Sequence, residues 1–169
     1  MLANLSLTTK VKILLLLLLL LTVATSFKSN FLYAHEYQQD GIFINHPYSS
    51  PTRPGTNNGV MYIVNIENLS KTMDKLTSVT TSIAESSEIH TMKNINGVMK
   101  MRKISSINLP LNQSISLKKG NPDGYHIMLL GIKQKLQNGD NFDAILHFEN
   151  APSIKVNVEV IESKVNHKH

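Results

Sequence analysis

The chain contains no cysteine, which excludes a disulfide framework, a thiolate metal site and a lipid attached through cysteine. Aromatic residues make up only 6% of the sequence, and the lysines are scattered. The basic stripe with stacking rings that is typical of nucleic-acid binders is therefore missing. We predict that nucleic acid is not a partner and that side-chain packing alone stabilises the fold.

The first 34 residues have the pattern of a secretory signal peptide. Lys10 and Lys12 precede a leucine-rich apolar stretch, which extends at most from 13 to 27. This stretch is shorter than the roughly 20 residues that cross a bilayer, so we expect cleavage rather than a permanent membrane anchor. Cleavage near 24–26 competes with cleavage after Ala34, and we favour Ala34 because polar sequence follows it. An uncleaved anchor is the alternative. The pattern predicts an exported protein.

The remainder of the chain divides into one domain, 35–162, and a short tail, 163–169. Domains commonly have about 100 to 150 residues, so this length suffices for one hydrophobic core. From residue 35 onward the chain carries 14 basic and 12 acidic residues, so the basic balance of the whole sequence mostly reflects its leader. No internal repeat or change in composition marks a second domain. The polar tail is predicted to be flexible.

Short extended segments separated by turn signals predict an all-β fold. The clearest segment is 154–160, where apolar residues occupy every second position. The other predicted strands are 42–44, 60–67, 76–81, 88–93, 98–104, 114–118, 125–130 and 143–148. A loop rich in Pro, Gly and Asn, beginning at Pro47, separates the first two of these. No long stretch has helical periodicity, so we expect a single antiparallel β-sandwich or barrel.

The main functional signal is a set of three His/Met pairs with a spacing of two: His90 with Met92, Met99 with Met101, and His126 with Met128. Because side chains alternate along a strand, the members of each pair share one face. Asn-Gly at 96–97 predicts a two-residue hairpin turn, which places Met92 opposite Met101 and His90 diagonal to it. The third pair has to reach this hairpin through tertiary structure.

The combination of thioether and imidazole groups points to copper(I). Uncharged methionine sulfur is soft, so it binds Cu(I) and discriminates against Mg²⁺ and Ca²⁺, whereas imidazole suits copper and zinc alike. A neutral set of two Met and two His favours a monovalent ion. In an oxidising compartment methionine also avoids the disulfide formation that would remove paired thiols as ligands. These residues therefore predict a Cu(I) site.

The remaining Met and His residues have ordinary interpretations. A strand methionine usually fills the core, so Met61 and Met73, which have no His two residues away, are predicted to be core residues. His46 and His147 are predicted to be structural or solvated, with His147 on the polar face of its strand. The termini carry three further histidines that could bind Cu(II) weakly: His35, His167 and His169.

The pattern resembles the periplasmic PCu(A)C copper chaperones, whose signature is a His, then a Met, then His-x-Met. The matching segments are 90–92 (His-Thr-Met), 96–102 (Asn-Gly-Val-Met-Lys-Met-Arg), 124–129 (Gly-Tyr-His-Ile-Met-Leu) and 131–133 (Gly-Ile-Lys), within a resemblance from about 41 to 160. The resemblance implies a cupredoxin-like β-sandwich. It also implies four copper ligands, with Met92 and Met99 as secondary candidates: His90, Met101, His126 and Met128.

The chain departs from the family pattern in two places. The 24 residues between Met101 and His126 are a few more than the family has. A turn at 121–123 could absorb the insertion, because surface loops tolerate added length; a shifted third pair would instead let the secondary methionines substitute. Family members also often have a Trp near 46–50, where this chain has Pro47 and Tyr48.

The resemblance implies a chaperone that delivers Cu(I) to a copper-accepting protein, either a cytochrome c oxidase subunit or another copper chaperone. We expect a monomer without enzymatic activity, since the sequence has no cysteine nucleophile and no Ser/His/acid arrangement. One alternative is a copper-buffering or resistance protein that uses the same site. The other is a metal-free adhesion or assembly sandwich in which the methionine pairs are core residues.

Overall fold

The computed structural model describes Val11, residues 36–120 and residues 124–162. The predicted signal peptide apart from Val11, residue 35 of the predicted domain, the turn at 121–123 and the predicted tail all lie outside these residues. From residue 36 onward the described residues belong to one compact unit. Within the described parts of the chain, no helix has the length and apolar character needed to cross a membrane.

The described residues form strands and no long helix, which confirms the all-β prediction. The strands are β1 (Glu36–Gln39), β2 (Ile42–Ser49), β3 (Gly59–Asn68), β4 (Asp74–Thr81), β5 (Ser86–Ile95), β6 (Val98–Lys103), β7 (Ile107–Leu109), β8 (Ser114–Leu117), β9 (Tyr125–Leu130), β10 (Asn141–Phe148) and β11 (Ile154–Val160).

The strands form one curled sheet in the order β6-β5-β9-β3-β2-β11-β10-β4-β7, with β1 also paired to β2 and β8 also paired to β3. All pairs are antiparallel except a short parallel contact between β11 and β2. The strands at the β6 end of this order, β6, β5 and β9, carry the three His/Met pairs. Residues that are far apart in the sequence therefore meet on adjacent strands.

The core is built by side-chain alternation along the strands. In β11, Val156, Val158 and Val160 are at most 1% exposed, and Ala144 of β10 faces Val156 across the pair. Intervening residues such as Lys155 are exposed. Burial of one apolar face on each strand stabilises the fold by roughly 25 cal/mol for each Å² of apolar surface removed from water.

The hairpin between β5 and β6 has the predicted two-residue turn. Asn96 and Gly97 have φ angles of 53° and 80°, the positive values that a type I′ turn requires at both central positions. Ile95 consequently pairs with Val98, and the register continues to the pair of Met92 and Met101. Local sequence therefore determines how the two methionines meet.

Three expectations from sequence need correction. Strand β2 runs through Pro47, which was predicted to open a loop, and β1 and β7 were not predicted at all. Proline lacks an amide proton, but β1 pairs with 42–45 and β11 with 48–49, so no strand on that side of β2 pairs with position 47. Met61 is buried as predicted, whereas Met73 is 70% exposed and is not a core residue.

Candidate metal centre

Strand β5 lies between the other two strands that carry His/Met pairs. On one side, Met92 of β5 pairs with Met101 of β6. On the other side, His90 of β5 pairs with His126 of β9. The third pair thus reaches the hairpin through the β5–β9 ladder, and the 24-residue spacing between Met101 and His126 does not shift it out of register.

Where β5 pairs with β9, the opposite face of these two strands packs into the core. Ile89 and Ile127 pair with each other one residue before His90 and one residue after His126, and both isoleucines are buried. Because successive side chains point to opposite faces, the two histidines lie on the face away from this core. Met128 follows two residues after His126 and shares that face.

A cleft of about 410 Å³ opens over this face. Its lining includes three methionines and one histidine of the predicted set: Met92, Met101, Met128 and His126. His90 stands beside the cleft, with its ring centroid 5.6 Å from that of His126. Exposure is graded across the set, since His126 is 2% exposed and Met101 is 60% exposed. Imidazole therefore lies deep, and a thioether lies at the surface.

The two rings contain three buried nitrogens that lack a hydrogen-bond partner within the described parts of the chain: His90 Nδ1, His126 Nδ1 and His126 Nε2. More than about 90% of buried polar groups in folded proteins have such a partner. Each unpaired group costs about 1–3 kcal/mol of stability. Two adjacent imidazoles with this deficit are a sign of a site that a ligand completes.

Glu88 determines the orientation of the His90 ring. The Nε2 of His90 lies 2.9 Å from one carboxylate oxygen of Glu88, and the Nζ of Lys103 donates to the other oxygen at 2.7 Å. Lys103, and then His90, lower the pKa of Glu88, so its carboxylate is ionised and can only accept hydrogen bonds. His90 Nε2 therefore donates to this carboxylate, so in a neutral ring Nδ1 carries the free lone pair.

Burial, reinforced by the neighbouring His90 ring, lowers the pKa of His126 below its usual value of 6.5. The ring is consequently neutral at neutral pH. Neutral imidazole is the form that binds metal ions, through either ring nitrogen. The electrostatic environment of His126 thus favours a ligand role over a cationic one.

The described residues contain no cluster of the charged and imidazole ligands that hard or borderline metal ions prefer. Within 36–120 and 124–162, no three His, Cys, Asp or Glu side chains form a group that could hold a metal ion. Thioether sulfur ligands select soft ions.

The sequence model of one protein family, described as "Putative lipoprotein LpqE-like", matches residues 42–160. The chain belongs to this LpqE-like family. Among solved structures, the apo PCuAC domain from PmoF1 is 27% identical, with a TM-score of 0.62, and the match covers 75% of this chain and 98% of that one. The resemblance to the PCu(A)C family is therefore confirmed.

Two further solved structures share the fold. The copper-bound PCuAC domain from PmoF2 is 24% identical, with a TM-score of 0.62, and the match covers 75% of this chain and 97% of that chain. The CuI-DR1885 structure from Deinococcus radiodurans is 20% identical, with a TM-score of 0.57 and coverage of 80% and 87%. The cupredoxin-like β-sandwich is thus confirmed. No curated protein matches the sequence.

Neither His46 nor His147, the other two histidines among the described residues, lines the cleft. Both ring nitrogens of His147 have partners, with Nε2 at 2.9 Å from Thr80 Oγ1 and Nδ1 at 2.8 Å from Ser153 Oγ, which agrees with its predicted structural role. The ring of His46 lies 6.0 Å from that of Tyr48. Three histidines lie outside the described residues: His35, His167 and His169.

Two residues remain to be compared with the sequence prediction: Met99, a secondary ligand candidate, and Glu88, which contacts His90. The backbone of Met99 pairs with Asn94, but its side chain is outside the described part of the structure. Glu88 was not predicted from sequence, although it lies two residues before His90 and must share its face. The same period-two rule that grouped the His/Met pairs would have found it.

Proposed function

We propose that the domain binds one Cu(I) ion through His90, Met101, His126 and Met128 and transfers it to a partner protein. The observation that carries the proposal is a pair of adjacent imidazoles with buried, unpartnered nitrogens beside a cleft lined by thioethers. Coordination of one nitrogen of each ring to a soft ion removes the desolvation penalty of that nitrogen. The protein acts as a carrier and catalyses no reaction.

Monovalent copper fits the charge of the proposed ligand set. Two neutral imidazoles and two thioethers leave the bound ion with a single positive charge in a partly desolvated position. A divalent ion would keep twice that charge, which is costly away from water. The copper-bound PmoF2 domain and the CuI-DR1885 structure have the same fold, which supports copper as the cargo.

Transfer by ligand exchange follows from the gradient of exposure across the site. Met101 is 60% exposed at the mouth of the cleft, so an incoming ligand can replace its sulfur first. Buried His126 and half-buried His90 would hold the ion until the acceptor supplies further ligands. We propose a monomeric periplasmic chaperone whose acceptor is a copper-centre subunit of cytochrome c oxidase or another copper chaperone. Export is consistent with the lipoprotein description of the family, although this chain has no cysteine for a lipid.

X-ray absorption of the Cu(I)-loaded protein, combined with a Cu(I) titration, tests the binding proposal. We expect saturation at one ion for each chain, with two sulfur and two nitrogen neighbours. A count of three sulfurs would add Met92, which lines the cleft opposite Met101. A titration without saturable binding would favour the metal-free sandwich. Failure to transfer copper to an apo oxidase subunit, despite tight binding, would favour a copper buffer.

Replacing Glu88 with glutamine should weaken Cu(I) binding by about 10-fold, the lower end of the usual effect of losing a group that orients a ligand. The glutamine keeps the shape but removes the charge that holds the proton on His90 Nε2. Competition against a Cu(I) chelator measures the change. Glu85→Gln is the matched control, since Glu85 is an exposed residue just before β5. Equal affinities of the two variants would contradict an orienting role.

A further inference from the structure

The β5–β6 hairpin carries an unusual concentration of positive charge on the face opposite to the methionine pair. Lys93 and Lys100 pair directly across the two strands, and Arg102 pairs with Thr91. All three cationic side chains are exposed. We refer to Lys93, Lys100 and Arg102 as the hairpin basic face.

The hairpin basic face does not stabilise the hairpin itself. Like charges directly opposite each other on antiparallel strands are destabilising. Within the described residues, none of the three cations forms an ion pair, whereas the adjacent Lys103 pairs with Glu88. The positive charge is therefore left available to an external group.

Charge is also segregated along the sequence. Residues 89–122 contain six basic residues and no acidic one, while the other residues from 35 onward contain eight basic and twelve acidic residues. The hairpin thus belongs to a positive region of a domain whose remainder is negative. Such a distribution steers an acidic partner toward the hairpin and raises its rate of association.

The hairpin basic face also borders a cleft and an unpaired strand edge. A cleft of about 320 Å³ lies between its cations and the apolar side chains of Ile95 and Ile104. Strand β6 is at the end of the sheet order and, within the described residues, pairs with β5 alone. An extended peptide can add to such an edge through its main chain, with side chains entering neighbouring pockets.

We propose that the hairpin basic face and the free edge of β6 dock an acidic, extended segment of the protein that exchanges copper with this chain. This inference rests on the proposed function. Met101 lies between Lys100 and Arg102 on β6, so a segment held along this strand is next to the most exposed copper ligand. A lipid or nucleic-acid surface could neutralise the charge but could not pair with the backbone of β6.

The test compares Lys100→Glu/Arg102→Glu with a control of identical charge change, Lys71→Glu/Lys135→Glu, at exposed sites off the hairpin. The probe is a synthetic peptide of alternating glutamate and valine, followed through the backbone amide shifts of the chain from residue 35. We expect the peptide to shift the backbone amide signals of β6 and to lose its binding at high ionic strength. The hairpin variant should bind the peptide at least about 10-fold more weakly, whereas the control variant should bind it as the wild-type protein does.

Any of the following results would overturn the inference: equal peptide binding by both variants, binding of a lysine–valine peptide as strong as that of the acidic peptide, or binding of phosphatidylglycerol vesicles without binding of the acidic peptide. Cu(I) affinity is measured on the same samples and should be unchanged in both variants. Normal copper binding without peptide binding would refute the docking surface alone. Absence of copper binding in the wild-type protein would refute the proposed function.

Discussion

Replacing His126 with leucine should weaken Cu(I) binding by at least about 100-fold and make the metal-free protein more stable. The variant loses one proposed nitrogen ligand, and loss of an outer-shell partner alone typically costs 10- to 100-fold in metal affinity, so loss of a direct ligand should cost at least as much. Competition with a Cu(I) chelator gives the affinity. Retention of wild-type affinity would remove His126 from the ligand set.

The gain in stability comes from the same ring. His126 is 2% exposed, and neither ring nitrogen has a partner in the described residues. Leucine has a similar size and no polar atom to desolvate, so we expect the free energy of unfolding to rise by about 1–3 kcal/mol. Urea denaturation of metal-free protein measures this change. A loss of stability would mean that the ring is satisfied by water or by packing.

The stability difference between this variant and the wild-type protein should increase as the pH falls. The folded-state pKa of His126 lies below 6.5, so the unfolded chain takes up the proton first. The wild-type protein therefore loses stability as the pH falls from about 6.5 through that lower pKa. The leucine variant lacks this group and this loss. A difference that is independent of pH between 5 and 8 would contradict the neutral, buried state of the ring.

His147→Leu is the matched control for both measurements. This histidine is also on a strand, but both of its ring nitrogens are hydrogen-bonded. Its replacement should lower the free energy of unfolding by about 1 kcal/mol, because neutral hydrogen bonds are lost, and should leave Cu(I) affinity unchanged. The two variants thus change stability in opposite directions for the same substitution.

The part of the site that local sequence could predict is the hairpin. Asn96 and Gly97 accept the positive φ angles of the turn, and this alone sets Met92 opposite Met101. The meeting of His90 with His126 depends instead on the pairing of β5 with β9, which are joined by a long connection. No local rule fixes the pairing of such distant strands. The meeting of His90 with His126 is therefore predicted only by the resemblance to the PCu(A)C family.

The errors from sequence have equally specific causes. The cluster of Pro, Gly and Asn residues that begins at Pro47 predicts a loop, but position 47 pairs with Ile63 of β3. On the other side of β2, where β1 and β11 pair, position 47 has no strand partner, so the missing amide proton is tolerated. Met73 was assigned to the core on residue type alone, yet it precedes β4 and is 70% exposed. Alternation along a strand predicts which side chains are buried. Met73 lies outside a strand, so no periodic pattern predicts whether its side chain faces the core.

The exposed Met73 provides the control for a second prediction, in which Met101→Ala weakens Cu(I) binding by about 10- to 100-fold. Met101 is 60% exposed, so its truncation should change the free energy of unfolding by no more than about 0.5 kcal/mol. Met73→Ala removes a thioether that is also mostly exposed, at 70%, and should change neither quantity. Chelator competition and urea denaturation of the same samples provide both measurements.

Met61→Ala separates ligation from packing in the same series. Its side chain is fully buried, so truncation should lower the free energy of unfolding by about 2–5 kcal/mol while the folded protein keeps its Cu(I) affinity. Parallel losses of affinity in Met61→Ala and Met101→Ala would mean that copper binding responds to general packing, and Met101 would not be a ligand. A loss confined to Met101→Ala requires a direct bond, since an exposed thioether with little effect on stability has no other way to hold the ion.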